Sequence, residues 1–209
     1  MNLVFLGPPG AGKGTAASQV SKRLGVCHIS TGDMFRAAIK NGTPVGLKAK
    51  AFIDRGELVP DFVTVEMVAE RLGQADCANG FLLDGFPRTV EQAQALDSIA
   101  AVDAVIDLVV EDEPLVARLT GRRVCPECRG TYHISRLADE KICPDCASEL
   151  VHRPDDHAQT IQARLDVYHK QTSPLTDYYK TRGILRPVDA SATPDEVLTL
   201  ILKALESDR

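Results

Sequence analysis

The chain has 209 residues, of which 44% are hydrophobic and 25% charged, proportions typical of a globular protein rather than a disordered or fibrous one. Its formal net charge of −5 argues against nucleic-acid binding by overall charge, although a local basic cleft is compatible with it. No apolar run approaches the ~20 residues of a membrane span, and the first residues lack the basic region of a signal peptide. We therefore expect a cytoplasmic protein whose six cysteines stay reduced.

Five short apolar runs along the chain are predicted to be buried strands. They comprise residues 3–6, 26–29, 81–83, 104–110 and, as the weakest case, 184–188. The first run ends at Gly7, as expected for a strand that enters a turn. The stretches between the runs have helical patterns. This alternation predicts an α/β protein with a parallel five-stranded sheet and helices on both faces.

Capping residues and polar–apolar periodicity predict where several helices begin and end. A helix over residues 15–24 is expected to stop at Gly25, because glycine suits the position just after a helix. A longer helix is predicted from residue 157 to about residue 180. Capping signatures mark three further helix starts, at Asp61, at Thr89 with Gln92, and at Thr193 with Glu196.

Residues 121–156 interrupt the alternation and are predicted to form a small inserted domain. Two Cys-Pro-x-Cys motifs lie in it, separated by 14 residues. Four thiolates complete a tetrahedral shell without an open position, so the spacing predicts a structural Zn²⁺ site. Iron on the same sulfurs, or disulfides, are the alternatives. The predicted ligands are Cys125, Cys128, Cys143 and Cys146. Of the other cysteines, Cys27 is expected to be simply buried, and no partner is predicted for Cys77.

Residues 7–13 fit the pattern G-x-x-x-x-G-K, which is typical of a phosphate-binding loop (P-loop). The pattern follows a predicted strand and precedes a predicted helix, so backbone N–H groups and the helix N-terminus would surround a phosphate, with Lys13 adding positive charge. The hydroxyl residue that usually follows the lysine is replaced by Gly14, and Thr15 comes next. Residues 12–17 also imitate a dinucleotide fingerprint, but that site does not need a lysine in its turn.

Polar residues follow two of the predicted strands at the edge where parallel sheets bind ligands. Asp84 is suited to hold Mg²⁺, often through water, and its alternative role is that of a turn or cap residue. Arg88 lies between a proline and a capping threonine, so a stiff backbone would hold it towards a phosphate. Several more arginines could neutralise two nucleotides that meet phosphate to phosphate: Arg36, Arg118, Arg122, Arg123, Arg153 and Arg164.

Together these motifs resemble the adenylate kinase family, in particular its members with a zinc-bearing lid, and the likeness covers nearly the whole chain. It is carried by residues 7–15, 30–34 with Arg36, 80–89, 121–123, and 153–156 with Arg164. The resemblance implies a P-loop core of residues 1–29, 60–120 and 157–209. It also implies a helical AMP-binding segment of residues 30–59 and a lid of residues 121–156.

The resemblance further implies reversible Mg²⁺-dependent phosphoryl transfer from ATP to AMP, giving two ADP. The residues expected to act on the transferred group are Lys13, Asp84, Arg88, Arg122, Arg153 and Arg164. The expected ATP site comprises Gly10, Ala11, Gly12, Lys13, Gly14, Thr15, Arg118, Thr131, Tyr132 and a backbone contact from Ala192. The expected AMP site comprises Thr31, Arg36, Glu57, Leu58, Val59, Gly85, Phe86, Pro87, Arg88, Gln92, Arg153 and Arg164. Gln92 would pair with adenine, or merely close a capping box with Thr89.

Two rival functions remain compatible with the sequence. Residues 84–88 also suit kinases of other nucleoside monophosphates, although the cysteine-bearing insertion and Gln92 favour AMP. A zinc-ribbon RNA-binding module is the second rival, against which the acidic charge and the aromatic content of 5% argue. We expect a monomer whose ligands are ATP, AMP and ADP, without nucleic-acid or membrane partners.

Overall fold

The computed structural model describes residues 1–206. Its centre is a five-stranded sheet in the order β2-β3-β1-β4-β7, in which every neighbouring pair is parallel. The strands are β1 (Leu3–Leu6), β2 (Cys27–Ser30), β3 (Phe81–Asp84), β4 (Ala104–Val109) and β7 (Leu185–Asp189). All five predicted strands are confirmed, with ends displaced by at most one residue.

Helices cover both faces of this sheet. They are α1 (Lys13–Leu24), α2 (Thr31–Lys40), α3 (Pro44–Ile53), α4 (Asp61–Leu72), α5 (Val90–Ile99), α6 (Glu113–Thr120), α7 (Ala158–Val167), α8 (Pro174–Thr181) and α9 (Pro194–Glu206). Short 3₁₀ turns occupy Ala75–Cys77, Ile134–Arg136 and Pro154–Asp156. Across residues 1–206, none of the helices combines the length and the apolar character that crossing a bilayer requires.

Alternate residues of β1 face opposite layers of the core. Leu3 and Phe5 pack with α1 and α9, whereas Val4 and Leu6 pack in the layer that contains residues of α4, α5 and α8. Each of these four side chains is at most 3% exposed, and each such burial stabilises the fold by about 1.5–3 kcal/mol. With both faces covered, the carboxyl ends of the strands are left to form the site.

The prediction of one continuous helix over residues 157–180 is wrong. It consists of α7 and α8, joined by a π-helical turn at Tyr168–Thr172 in which Ser173 N donates to Tyr168 O at 2.9 Å. Pro174 at the start of α8 has no N–H with which to continue the regular ladder. The break has a structural use, because Thr172 Oγ1 donates to the carbonyl oxygen of Arg88 at 2.8 Å.

The predicted capping role of Asp61 is also wrong. Asp61 is the first residue of α4 itself, and Pro60 precedes it with extended backbone, so the Asp61 side chain makes no cap bond. It accepts instead from Thr89 Oγ1 at 2.9 Å and from Gln92 Nε2 at 2.7 Å. A residue with helical backbone cannot cap its own helix, since the cap position needs an extended conformation. The cap at Thr89 is confirmed, because Gln92 N donates to its hydroxyl at 3.1 Å.

The insertion at residues 121–156 has little core of its own. It contains an antiparallel pair of strands, β5 (Arg122–Val124) and β6 (Thr131–His133), and a bridge from Val124 to Val151. Its buried cluster consists of Cys125, Cys143 and Leu150, which is too small to hold a domain together without a staple. The division into core, AMP-binding segment and lid stays a prediction, and residues 207–209 of the predicted core lie outside the described residues.

Candidate active site

The loop after β1 folds closely around the side chain of Lys13. Gly7, Gly10 and Gly12 have φ values of +133°, +89° and +91°, conformations that L side chains rarely adopt. This path lets Lys13 Nζ donate to Gly7 O at 2.6 Å and to Pro8 O at 2.9 Å. The ammonium group is therefore held against the loop at the N-terminus of α1, as phosphate binding requires.

Asp84, the last residue of β3, faces the first turn of α1. A Cβ built on Gly14 would lie 3.4 Å from Asp84 Oδ2, and His28 Nε2 is 3.8 Å from the same oxygen. Burial raises the pKa of Asp84, but His28 and the charge of Lys13 outweigh it and keep the pKa below its ordinary value. An ionised carboxylate beside a phosphate-binding loop has the chemistry of a Mg²⁺ ligand.

Two carboxylates hold two of the predicted arginines at the start of α7. Arg122 makes a bidentate contact with the fully buried Asp156, with Nε 2.8 Å from Oδ2 and Nη2 2.6 Å from Oδ1. Arg164 Nη1 is 2.9 Å from Asp156 Oδ1 and 3.0 Å from Asp155 Oδ2. No role was predicted for either aspartate. Their position directly after Arg153-Pro154 was the available signal, because partly buried arginines need nearby counter-charges.

The residues Lys13, Arg36, Arg88, Arg122, Arg153 and Arg164 form what we call the cationic cluster. Burial, together with repulsion from neighbouring arginines, lowers the pKa of Arg88 to about 10 and that of Arg153 to about 9. Burial and repulsion from Arg88, Arg164 and Arg122 likewise lower the pKa of Lys13 to about 8, although Asp84 opposes the change. Arg153 Nε is buried and has no hydrogen-bond partner. The cluster therefore carries uncompensated positive charge, as an anion-binding site would.

The segment after β3 is fixed from three sides. Thr31 Oγ1 donates to Gly85 O at 2.8 Å, and Arg88 Nε donates to the same carbonyl oxygen at 2.8 Å. Gln92 Oε1 accepts from Arg88 N at 2.7 Å, while its Nε2 is bound to Asp61. The Gln92 side chain thus accepts a hydrogen bond from the backbone N–H of Arg88. In the capping box, one of its two expected roles, it would accept from the backbone N–H of Thr89 instead. These contacts fix the backbone that carries the Arg88 guanidinium group.

The other residues predicted for the AMP site lie along the segment that follows α3. Val59 is buried with Phe35, whereas Glu57 is exposed and pairs with Arg55 at 2.6 Å. Gly56 has a φ of +75°, and a Cβ built on it would lie 2.9 Å from the backbone oxygen of Thr160 in α7. The end of the predicted AMP-binding segment therefore contacts the helix that carries Arg164.

The residues predicted for the ATP site outside the P-loop lie in two separate places. Arg118 Nη1 donates to Ala190 O at 3.1 Å, so this arginine lies against the loop that contains Ala192. Tyr132 lies on β6, and its hydroxyl group donates to Asp145 Oδ2 at 2.7 Å. The Tyr132 hydroxyl thus faces the second cysteine motif, a contact that sequence spacing did not indicate.

The four cysteines of the insertion form one cluster of separate thiols. Cys125 Sγ is 3.4 Å from Cys146 Sγ, and Cys128 Sγ is 3.6 Å from Cys143 Sγ. A tetrahedral Zn²⁺ site with Zn–S bonds of about 2.3 Å has S···S edges of about 3.8 Å. Burial raises the pKa of Cys143, but a hydrogen bond with Tyr132 and hydrogen bonds from backbone N–H groups lower it to about 6. The spacing of the four sulfur atoms fits a bound metal ion.

A parallel sheet with a glycine-rich loop after its first strand, and a cationic cluster at that edge, defines a P-loop nucleotide-binding protein with a kinase-like fold. The protein-family model described as adenylate kinase matches residues 5–184 of this chain. The chain is 54% identical to adenylate kinase of Moorella thermoacetica, over 100% of this chain and 99% of the relative. It is 52% identical to that of Carboxydothermus hydrogenoformans, over 99% and 100%. The chain belongs to the adenylate kinase family, whose members are nucleoside monophosphate kinases.

Proposed function

We propose that this protein transfers the terminal phosphoryl group of ATP to AMP, reversibly and with Mg²⁺, so that one ATP and one AMP become two ADP. The cationic cluster carries the proposal, because several partly buried cations with lowered pKa values favour polyanionic ligands. The relatives that are named adenylate kinase support AMP as the acceptor. The activity serves adenine nucleotide homeostasis and nucleotide biosynthesis.

Lys13 and the loop N–H groups would bind the β- and γ-phosphates of ATP, and Arg88 with Arg36 would bind the phosphate of AMP. The acceptor oxygen already carries negative charge, so the reaction needs alignment and positive charge more than a general base. Mg²⁺, when bound with ATP, neutralises phosphate oxygens, and Asp84 is the residue proposed to hold it. Arg122, Arg153 and Arg164 would stabilise the charge on the transferred group.

We propose that residues 30–59 and 121–156 close over the bound nucleotides. Arg122 and Arg153 lie in the second segment and Arg36 in the first, so closure would bring arginines from both sides onto the phosphates. Closure would also exclude water, which would otherwise accept the phosphoryl group and waste ATP. The contact of Gly56 with α7 supports this route, since it joins the first segment to the helix of Arg164.

We propose Zn²⁺ as the structural metal of the lid, held by Cys125, Cys128, Cys143 and Cys146. The four sulfurs leave no open ligand position, so the ion would take no part in the chemistry. It would instead fasten a lid whose buried cluster is only three residues. We also propose that the enzyme acts as a cytoplasmic monomer without nucleic-acid or membrane partners, which the net charge of −5 supports.

A coupled assay with ATP and a panel of AMP, UMP, CMP and GMP tests the proposal. We expect AMP to be the preferred acceptor and two ADP to form for each ATP consumed. Arg88→Ala should abolish most of the transfer, whereas Arg23→Ala, at an exposed position of α1, should not. Faster transfer to another acceptor would assign the chain a different substrate. RNA binding without any transfer would overturn the proposal altogether.

A further inference from the structure

A second group of possible metal ligands lies at the opposite edge of the sheet from the active site. Cys27 is the first residue of β2, and its N–H donates to Gly80 O at 3.1 Å. Cys77 ends the 3₁₀ turn Ala75–Cys77, three residues before Gly80, and Asp76 precedes it. The pairing of β2 with β3 therefore brings together two cysteines that are 50 residues apart in the sequence.

The ligand atoms of this group have the spacing of a coordination shell. Cys27 Sγ is 3.4 Å from Asp76 Oδ2, and Cys77 Sγ is 3.8 Å from Asp76 Oδ1. One ligand atom from each of the three residues lies within 4.8 Å of the other two. A tetrahedral Zn²⁺ site has S···O edges of about 3.5 Å and S···S edges of about 3.8 Å.

Arg71 supplies the charge balance that such a site needs. Its guanidinium group contacts both carboxylate oxygens of Asp76, with Nη2 2.6 Å from Oδ2 and Nη1 2.8 Å from Oδ1. The same two nitrogens lie 2.9 Å from Cys27 Sγ and 3.2 Å from Cys77 Sγ. Two thiolates and one carboxylate carry three negative charges, which a divalent cation and one arginine neutralise. N–H donors to the ligand atoms also orient the side chains that carry them.

We propose that Cys27, Cys77 and Asp76 form a second metal site, which binds a thiophilic divalent cation such as Zn²⁺ or Cd²⁺. On binding, both thiols lose their protons to solvent, two metal–sulfur bonds and one metal–oxygen bond form, and no electrons are transferred. Asp76 is exposed, so the fourth ligand is water and the site opens to solvent. The site is independent of phosphoryl transfer, because it lies at the amino-terminal edge of the sheet.

Cobalt titration of the full-length protein tests the site, because Co²⁺ bound to thiolates absorbs in the near ultraviolet. Under a phosphine reductant, we expect two equivalents to bind to wild type. We expect one equivalent in Cys27→Ser and in Cys77→Ser. Asp76→Asn keeps both thiols and changes an exposed side chain, and it should weaken the second equivalent at least tenfold. Asp54→Asn is the matched control at an exposed carboxylate outside the group, and it should match wild type.

The results distinguish the site from its alternatives. Binding of a single equivalent of Co²⁺ to wild type would overturn the proposal. Binding of two equivalents to wild type and, with unchanged affinity, to Cys27→Ser, Cys77→Ser and Asp76→Asn would overturn it as well. A Cys27–Cys77 disulfide in the purified protein before reductant is added, detected as a loss of two hydrogen masses and located by peptide mapping, would also overturn it. Thermal melting of each variant checks folding. Because Asp76 is exposed, Asp76→Asn keeps the test valid if a cysteine variant unfolds.

Discussion

The pKa of Lys13 allows the cationic cluster to be tested by pH without any substrate. Burial and repulsion from three arginines lower this pKa to about 8, against an ordinary value of 10.5. In the unfolded chain the same lysine is in water and keeps its ordinary pKa. Between pH 8 and pH 10.5 the unfolded state therefore binds more protons than the folded state does.

The sign and the size of the effect follow from this difference. Stability rises with pH wherever the unfolded state binds more protons, so the charge of Lys13 destabilises the fold at pH 7. This penalty decreases above about pH 8 and is lost only above about pH 10.5. The two pKa values correspond to about 3 kcal/mol in total, at 1.36 kcal/mol per pKa unit. About 2 kcal/mol of this falls between pH 7 and pH 10, since titration is incomplete at both limits.

Urea unfolding of wild type and Lys13→Met at pH 7, 8, 9 and 10 measures this contribution. We expect the unfolding free energy of wild type to gain about 2 kcal/mol relative to the variant across this range. Groups outside the cationic cluster that titrate in alkali are common to both proteins and cancel in the difference. Lys22→Met, at an exposed lysine of the same helix, is the matched control. A difference that stays constant with pH would refute the argument that Lys13 is buried among uncompensated cations.

Three further predictions concern turnover and the lid. Arg88→Ala should lower kcat on the order of 10³-fold while the melting temperature is kept; wild-type turnover would contradict its role. Thr172→Val should lower kcat roughly tenfold by freeing the Arg88 carbonyl, and Thr172→Ser should restore it; equal rates for both would show that this bond has no effect. Chelating the lid metal should lower the melting temperature more than the rate measured in the cold. Equal losses would mean that the metal does more than stabilise.

The fold was largely predictable because its signals are local. The five strands are short apolar runs in sequence, and the P-loop pattern sits where a strand meets a helix, so neither required knowledge of distant residues. The spacing of the two Cys-Pro-x-Cys motifs likewise predicts by itself that the four cysteines form a cluster. The assignments of individual residues to ATP, AMP or catalysis came from family resemblance and stay predictions.

The features that the sequence did not predict depend on contacts between distant segments. Asp61 looked like a cap because its type suits one, yet its carboxylate is bound by Thr89 and Gln92 of the next helix. The π-helical turn before Pro174 was not predicted, because a single turn of five residues is too short to show a periodicity of its own. Cys27 and Cys77 each looked ordinary, and strand pairing alone brings them together.

The carboxylates around the cationic cluster position it without neutralising it. A guanidinium group has five N–H donors, and Asp156 takes two of those on Arg122 and one on Arg164. Each arginine is thus oriented and keeps further donors for phosphate oxygens. The lowered pKa of Arg164 shows that burial and repulsion outweigh both aspartates. Bound anions would offset the repulsion among these cations, so we expect nucleotide binding to stabilise the cluster in this arrangement.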